Sequence, residues 1–439
     1  MRNLLDSLKR DADSGGLPIS LRAFVSPDAK NHTNSFLRAQ DASIDSGRPL
    51  QMPKGVWRIS NALIKSGLRI ECAQGAIIES VSGSDPIFVS PDNVLKIINI
   101  SGGTWRNCSH VLQKTSTSAL LHSVFTGMSC RASITNFSME ASIQNAWRDC
   151  SFHGSGKGIV FETNSQSNIN LIQNCQFQSI SGVAVESIGI VSLNSLLSIE
   201  NCWFEACANG AICSDGTQGL KVRACYFEAN GSNDKPDVLL KTTGTQNRKA
   251  TISSCVFTSP AASQSTERIH LLGTTKALVE DCTIQLNSGQ NAIRYAVANV
   301  FVSELRGNFL LGIGGGAYKA RLFTHSSTHE PHWTAEASSF VSEDAPQMFF
   351  NGTLSADVVQ ELGFGGVRSI SSLVSEAVSL GVLHLRKGQH VVSTGEDLVI
   401  PREVQVIVHP GATVTCEDDS TLLVAGDISA GPFQWIYLI

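Results

Sequence analysis

Two short segments of the chain carry side chains that could work on a sugar: Cys202-Trp203-Phe204-Glu205 and Cys225-Tyr226-Phe227-Glu228. In each, residue types alternate with the period of a strand that has one buried face. With Cys and Phe inward, Trp203, Glu205, Tyr226 and Glu228 face outward. If the segments are neighbouring parallel strands, the two glutamates stand about 5 Å apart at the backbone. Paired carboxylates near that separation suit retaining glycoside hydrolysis, one as nucleophile and the other as acid. Flat outward aromatics suit the apolar face of a sugar ring. Glu205 and Glu228 are therefore the candidate catalytic pair, and Trp203 and Tyr226 the candidate glycan-binding residues. Asp215, Asp234 and Asp237, in nearby turns, are reserve acids. A plainer alternative stays open: solvated surface glutamates, with the aromatics at an interface between subunits.

His325, His329 and His332 form a second cluster, with spacing that resembles metal ligation. The histidine that follows His329-Glu330 comes too soon for a zinc-protease helix, and Pro331 would break that helix. Loop histidines are the expectation, and no metal or cofactor is implied. Gly312-Ile313-Gly314-Gly315-Gly316 lacks the strand-to-helix setting of a phosphate cradle, so a turn or bulge is expected there.

The elements that must position the glutamates emerge from a repeat. Asp149-Cys150-Ser151-Phe152 recurs as Asn174-Cys175-Gln176-Phe177, Asn201-Cys202-Trp203-Phe204, Ala224-Cys225-Tyr226-Phe227, Ser254-Cys255-Val256-Phe257 and Asp281-Cys282-Thr283-Ile284. Successive cysteines are 25, 27, 23, 30 and 27 residues apart. In Leu197-Ser198-Ile199-Glu200-Asn201-Cys202-Trp203-Phe204 the inward phase slips by one residue at Asn201. Such a slip is a sharp bend between strands, and Asn, Asp and, less readily, Ser tolerate the left-handed backbone it needs. Ala224 is the exception. One bend per coil of about 25 residues describes a parallel β-solenoid, in which like residues stack into ladders. Asn107-Cys108, 42 residues before Cys150, does not fit the interval.

Both open ends of such a solenoid need covering. Thr33 to Ile44, with Phe36, Leu37 and Ile44 near helical spacing and Gly47 as a stop, predicts a covering helix. A strand, turn and strand follow at 50–59. The same entry pattern returns near the C-terminus: a helical stripe over Ser371, Leu373, Val374, Ala377 and Val378, then strands at 383–392, 404–406 and 411–414. The expected organisation is all-β: residues 1–22 a short N-terminal helix, 23–97 the entry and cap, 98–310 a right-handed parallel β-helix, 311–361 a connection of uncertain fold, and 362–439 a second entry-like module.

Composition agrees. Among 439 residues, 42% are apolar and only 16% charged, below the usual quarter or so. That balance fits outer faces of Ser, Thr, Asn and Gln. A net charge of −5 without a basic cluster argues against nucleic acid. No apolar run approaches a membrane span, and the first residues lack the apolar core of a secretory signal. The 12 cysteines include no CxxC and sit mostly beside Phe or Ile, so free buried thiols are expected.

The helix before Leu50, the Pro53-Lys54-Gly55-Val56-Trp57-Arg58-Ile59 turn and the repeated Asn-Cys-x-Phe phrase resemble phage tailspikes and related pectate-lyase-like β-helix proteins. The second entrance, with Ile400-Pro401, Pro410-Gly411-Ala412 and residues 426–434, resembles one that recurs in phage tail proteins. The resemblance implies a virion-attached homotrimer, made in the host cytoplasm, that binds a bacterial surface polysaccharide and often cleaves it. Residues 1–22 would be the virion anchor or an extra cap. The polygalacturonase set Asn-Thr-Asp, Asp-Asp and Gly-His-Gly is absent apart from Asp418-Asp419, and no Arg-Pro-x-x-Arg occurs, so pectin is a poor substrate. The remaining alternative is a non-catalytic tail adaptor or spacer that docks another tail protein.

Overall fold

The bends at which the inward phase slips are left-handed in the computed structural model. Asp149, Asn174, Asn201, Ala224, Ser254 and Asp281 all have φ between 51° and 53°. Gly102 and Gly127 continue the row in the earlier coils, with φ of 72° and 62°. The bends from Gly102 to Ser254 are also tied to the next coil, as in Asn174 N–H to Glu200 O and Asn201 N–H to Arg223 O, both 3.0 Å. The structure describes residues 17–25, 29–90, 94–113, 119–139, 141–162, 167–188, 195–217, 219–231, 235–241, 249–258, 267–272 and 276–286. Beyond these it describes the strands up to Ser342, and the strands and most turns over 368–430. Residues 1–16 of the expected N-terminal helix, the helical stripe at 371–378 and Asp234 lie outside the described residues. Residues 17–22 are not that helix, since Ile19–Ser20 is a strand paired in parallel with Leu50–Met52 and Leu21–Phe24 a short 3-10 turn.

Between bends the chain runs as short strands, and every pairing among the described residues is parallel. Three stacks of strands wind along one axis as a right-handed parallel β-helix. The first carries the inward row Ile70, Ile100, Phe125, Trp147, Ile172, Ile199, Val222 and Ile252. The second carries Phe152, Phe177, Phe204, Phe227 and Phe257. Their rings stack nearly parallel, with centroids 4.6 to 5.1 Å apart. The third carries Ile159, Val185, Ile212, Val238 and Ile269. Each such side chain contributes about 1.5–3 kcal/mol by leaving water.

Register resolves the odd Asn107-Cys108 pair. Trp105 pairs with Cys130, and Cys130 with Phe152. The rung before Cys150 is thus Met128, and Asn107 belongs to a second row of left-handed bends. That row follows the Phe strand and includes Gly154, Ser179, Ala206 and Ala229. None of the 12 cysteines is in a disulfide, and ten are buried. Burial pushes the Cys108 thiol up to about 12.

The helix Thr33–Ser46 ends at Gly47 with φ of 68°. It seats Phe36 against Phe88 at 5.2 Å. Its Gln40 is fully buried and pairs the open edge of the first coil, donating to Leu63 O at 3.1 Å and accepting from Lys65 N–H at 3.1 Å. His32 and Thr33 do the same for Arg58 and Ser60.

The coils continue past residue 310. Arg321–His325, Trp333–Glu336 and Ser339–Ser342 pair in parallel with Asn291–Ala296, Val302–Arg306 and Phe309–Gly312. Entry and body also share sheets, since Leu50–Met52 pairs with Arg69–Cys72 and that strand with Asn99–Ser101. Separately, residues 368–430 form three small parallel sheets. Their own core includes Leu383, Leu385, Val392, Ile400 and Val406.

Candidate functional site

The bend at Asn201 and the inward Cys202 and Phe204 fix which way Trp203 and Glu205 point. Cys202 Sγ lies 3.6 Å from Ile172 O, and Phe204 is fully buried in the ring stack. The coil at Ala224 repeats this, and register sets Trp203 beside Tyr226, Phe204 beside Phe227 and Glu205 beside Glu228. The four candidate residues therefore share one outward patch, two rungs deep.

Geometry refines the expected aromatic surface. The Trp203 and Tyr226 rings meet edge to face, with centroids 5.5 Å apart and planes at 82°. Both rings cannot lie flat under one sugar. Trp203 is 44% exposed, while Tyr226 is partly covered and its hydroxyl lies 3.4 Å from Thr258 Oγ1. Trp203 is thus the platform and Tyr226 its buttress.

A feature that residue types alone did not reveal is a polar line across successive coils. Gln178 stands in register with Glu205 and donates through Nε2 to Glu205 Oε2 at 3.0 Å. On the coil before it, His153 Nδ1 lies 3.1 Å from Gln178 Oε1. An amide holding Glu205 by N–H directs its oxygen to the imidazole, which fixes Nδ1 as the protonated nitrogen. The signal was present as the shared third position of Ser151-Phe152-His153, Gln176-Phe177-Gln178 and Trp203-Phe204-Glu205.

The reserve acids part company. Asp215 ends the strand Ile212–Asp215 in the third stack and pairs in register with Lys241, away from the glutamate row. Asp237 is withdrawn from solvent altogether. It forms an ion pair with Arg268 at 3.0 Å, both side chains 0% exposed. Burial raises its carboxyl, and the Arg268 guanidinium opposes this. A carboxylate enclosed in this way cannot reach a polymer, so Asp237 is structural. His325 ends the strand Arg321–His325, while His329 and His332 lie outside the described residues. Among the described residues no cluster of three metal-ligating side chains occurs.

A concavity of about 410 Å³ opens elsewhere, on the first stack, between Arg69, Glu71, Asn99, Ser101, Val124 and Thr126. Short outward side chains on two coils leave a trough beside the longer Arg69 and Glu71. No helix among the described residues is long and apolar enough to cross a membrane.

Comparison with known proteins bears on the fold. The family described as adenovirus EB1 55K protein / large t-antigen matches residues 97–232, under a third of the chain. No curated protein matches. Among solved structures, the catalytic unit of a thermostable GH87 alpha-1,3-glucanase from Streptomyces thermodiastaticus is similar at a TM-score of 0.54. It is 11% identical, and the match covers 77% of this chain and 70% of the other. PfbA, a surface adhesin of Streptococcus pneumoniae, gives 0.46 at 10% identity, covering 75% and 93%. ORF18 of Geobacillus virus E2 gives 0.41 at 14% identity, covering 74% and 62%. The likeness is one of fold. Activity has to be argued from the site.

Proposed function

We propose that this chain is a phage tailspike (tail fibre) component that attaches to a bacterial surface polysaccharide. The observation that carries the reading is the outward patch itself: an exposed Trp203 ring beside two carboxylates in register on adjacent coils. Glu205 and Glu228 are the pair that would cleave the chain it holds. In a retaining reaction, one carboxylate oxygen bonds to the anomeric carbon as the glycosidic bond breaks. The other carboxyl gives its proton to the leaving oxygen, and water then releases the sugar. The resemblance of the entry turn and the Asn-Cys-x-Phe phrase to tailspikes supports a homotrimer on the virion. Light scattering should return three times the chain's 46.9 kDa; a monomer at micromolar concentration contradicts the trimer.

The second reading, a non-catalytic tail adaptor or spacer, is favoured by the separate small solenoid over 368–430, a platform on which another tail protein could continue. Incubation with purified capsule and O-antigen, followed by measurement of new reducing ends, separates the two. The hydrolytic form of the proposal expects release by the wild type. Glu205→Gln and Glu228→Gln should lose about 10²–10⁴ of the rate while remaining folded. Binding without release selects the non-catalytic form, and unchanged turnover in both variants moves the chemistry elsewhere.

A further inference from the structure

The patch has an unusual charge balance for a surface that would meet bacterial polymers. The strands Ser151–His153, Gln176–Gln178, Trp203–Glu205, Tyr226–Glu228, Val256–Thr258 and Thr283–Leu286 stack as one face, and none contains a lysine or arginine. Two of them bring Glu205 and Glu228 side by side. Among the described residues neither glutamate takes part in an ion pair. Gln178 gives Glu205 a hydrogen bond but no compensating charge. Arg131 stands in the same outward row one coil before His153, three coils from Glu205, with its guanidinium beside Gly154, and Arg223 lies before the bend at Ala224, in register with Glu200. On the two strands that carry Trp203, Glu205, Tyr226 and Glu228 the face thus offers charged acceptors and an aromatic platform, with no cationic donor. Acceptors need a ligand that donates, and hydroxyl groups donate where carboxylates, phosphates and sulfates do not.

Resting on the polysaccharide-attachment reading, we propose that this patch selects a neutral, hydroxyl-rich sugar chain and rejects one that carries anionic groups. Trp203 stacks on a pyranose ring. Glu205, held by Gln178 and through it by His153, accepts hydroxyl protons of that sugar, and Glu228 accepts those of its neighbour. An anionic substituent on either sugar would sit within several ångströms of this carboxylate pair, which keeps a negative charge even when one member holds the proton for the leaving oxygen. At surface dielectric that repulsion amounts to roughly a tenfold loss of affinity, and mobile salt weakens it.

The test uses the full chain on a panel of immobilised bacterial surface polysaccharides, neutral and acidic. Each neutral binder is also presented after oxidation of its primary alcohols to uronates, which changes charge while keeping the backbone. Wild type, Trp203→Ala and the double variant Glu205→Gln/Glu228→Gln are compared, with thermal unfolding confirming that all are folded. Trp203-dependent binding should be confined to neutral polymers. Oxidation should weaken it roughly tenfold, with the gap closing between about 0.05 and 0.5 M salt, and the double variant should regain the oxidised polymer. Equal or tighter Trp203-dependent binding of an acidic polymer overturns the selectivity while leaving attachment intact. Absence of Trp203-dependent binding to every polymer overturns both.

Discussion

One residue per coil at each bend holds a backbone conformation that L-amino acids with a Cβ resist. Asparagine and aspartate adopt it at Asn174, Asn201, Asp149 and Asp281 because a short polar side chain can satisfy itself locally. Ala224 takes the same φ of 52° without that help, with its side chain exposed. Left-handed backbone costs such a residue about 1–2 kcal/mol, so Ala224→Asn should stabilise the chain by about 0.5–1 kcal/mol. The shift in denaturation midpoint at constant slope measures it; an unchanged or lower midpoint counts against the bend argument. The glutamates were legible at this scale because a period-2 pattern around Cys and Phe leaves only one outward choice. Gln178 and His153 were not, because only the pairing of coils shows that their third-position side chains fall in line with Glu205. Asp237 was misjudged for a related reason. It precedes a strand in sequence, and nothing local reveals Arg268, which meets it from the next coil.

Elements in this chain depend on their neighbours more than on themselves. Strands three residues long, such as Trp203–Glu205 and Tyr226–Glu228, have little stability alone and persist because coils above and below complete their backbone pairing. The first coil has no coil before it, and the helix Thr33–Ser46 fills that role with side chains. Gln40 is the clearest instance, since its amide replaces the two backbone partners that Leu63 and Lys65 lack. Gln40→Leu keeps the volume and removes both bonds, so about 2 kcal/mol of stability should be lost. An unchanged urea midpoint would mean that water serves that edge as well. The helix was readable from Phe36 and the Gly47 stop, but its buried face runs through Ser35, Phe36, Ala39, Gln40 and Ser43. Apolar spacing gave no hint of the two small polar residues and the amide on that face.

The whole molecule is a stack whose length follows from repetition. The six Asn/Asp-Cys-x-Phe-like phrases revealed the body, because each coil must turn at one place and bury the same rows. Beyond residue 310 the phrase fades, so the strands up to Ser342 were hidden although they add to the same sheets. In the first coils glycine replaces Asn or Asp at Gly102 and Gly127, and Met128 replaces the cysteine, which is why the 42-residue interval looked irregular. A rigid stack presents outward side chains at a fixed spacing along its axis, and a polymer with its own repeat can lie along such a surface. The central claim is that the Trp203 patch is where that polymer binds. Its most direct test is the affinity of wild type and Trp203→Ala for one purified bacterial surface polysaccharide, measured calorimetrically beside their melting temperatures. Loss of the stacking ring should weaken binding by about tenfold or more, on the scale of 1–3 kcal/mol for an aromatic hot spot, with the melting temperature unchanged. Equal affinities would contradict it.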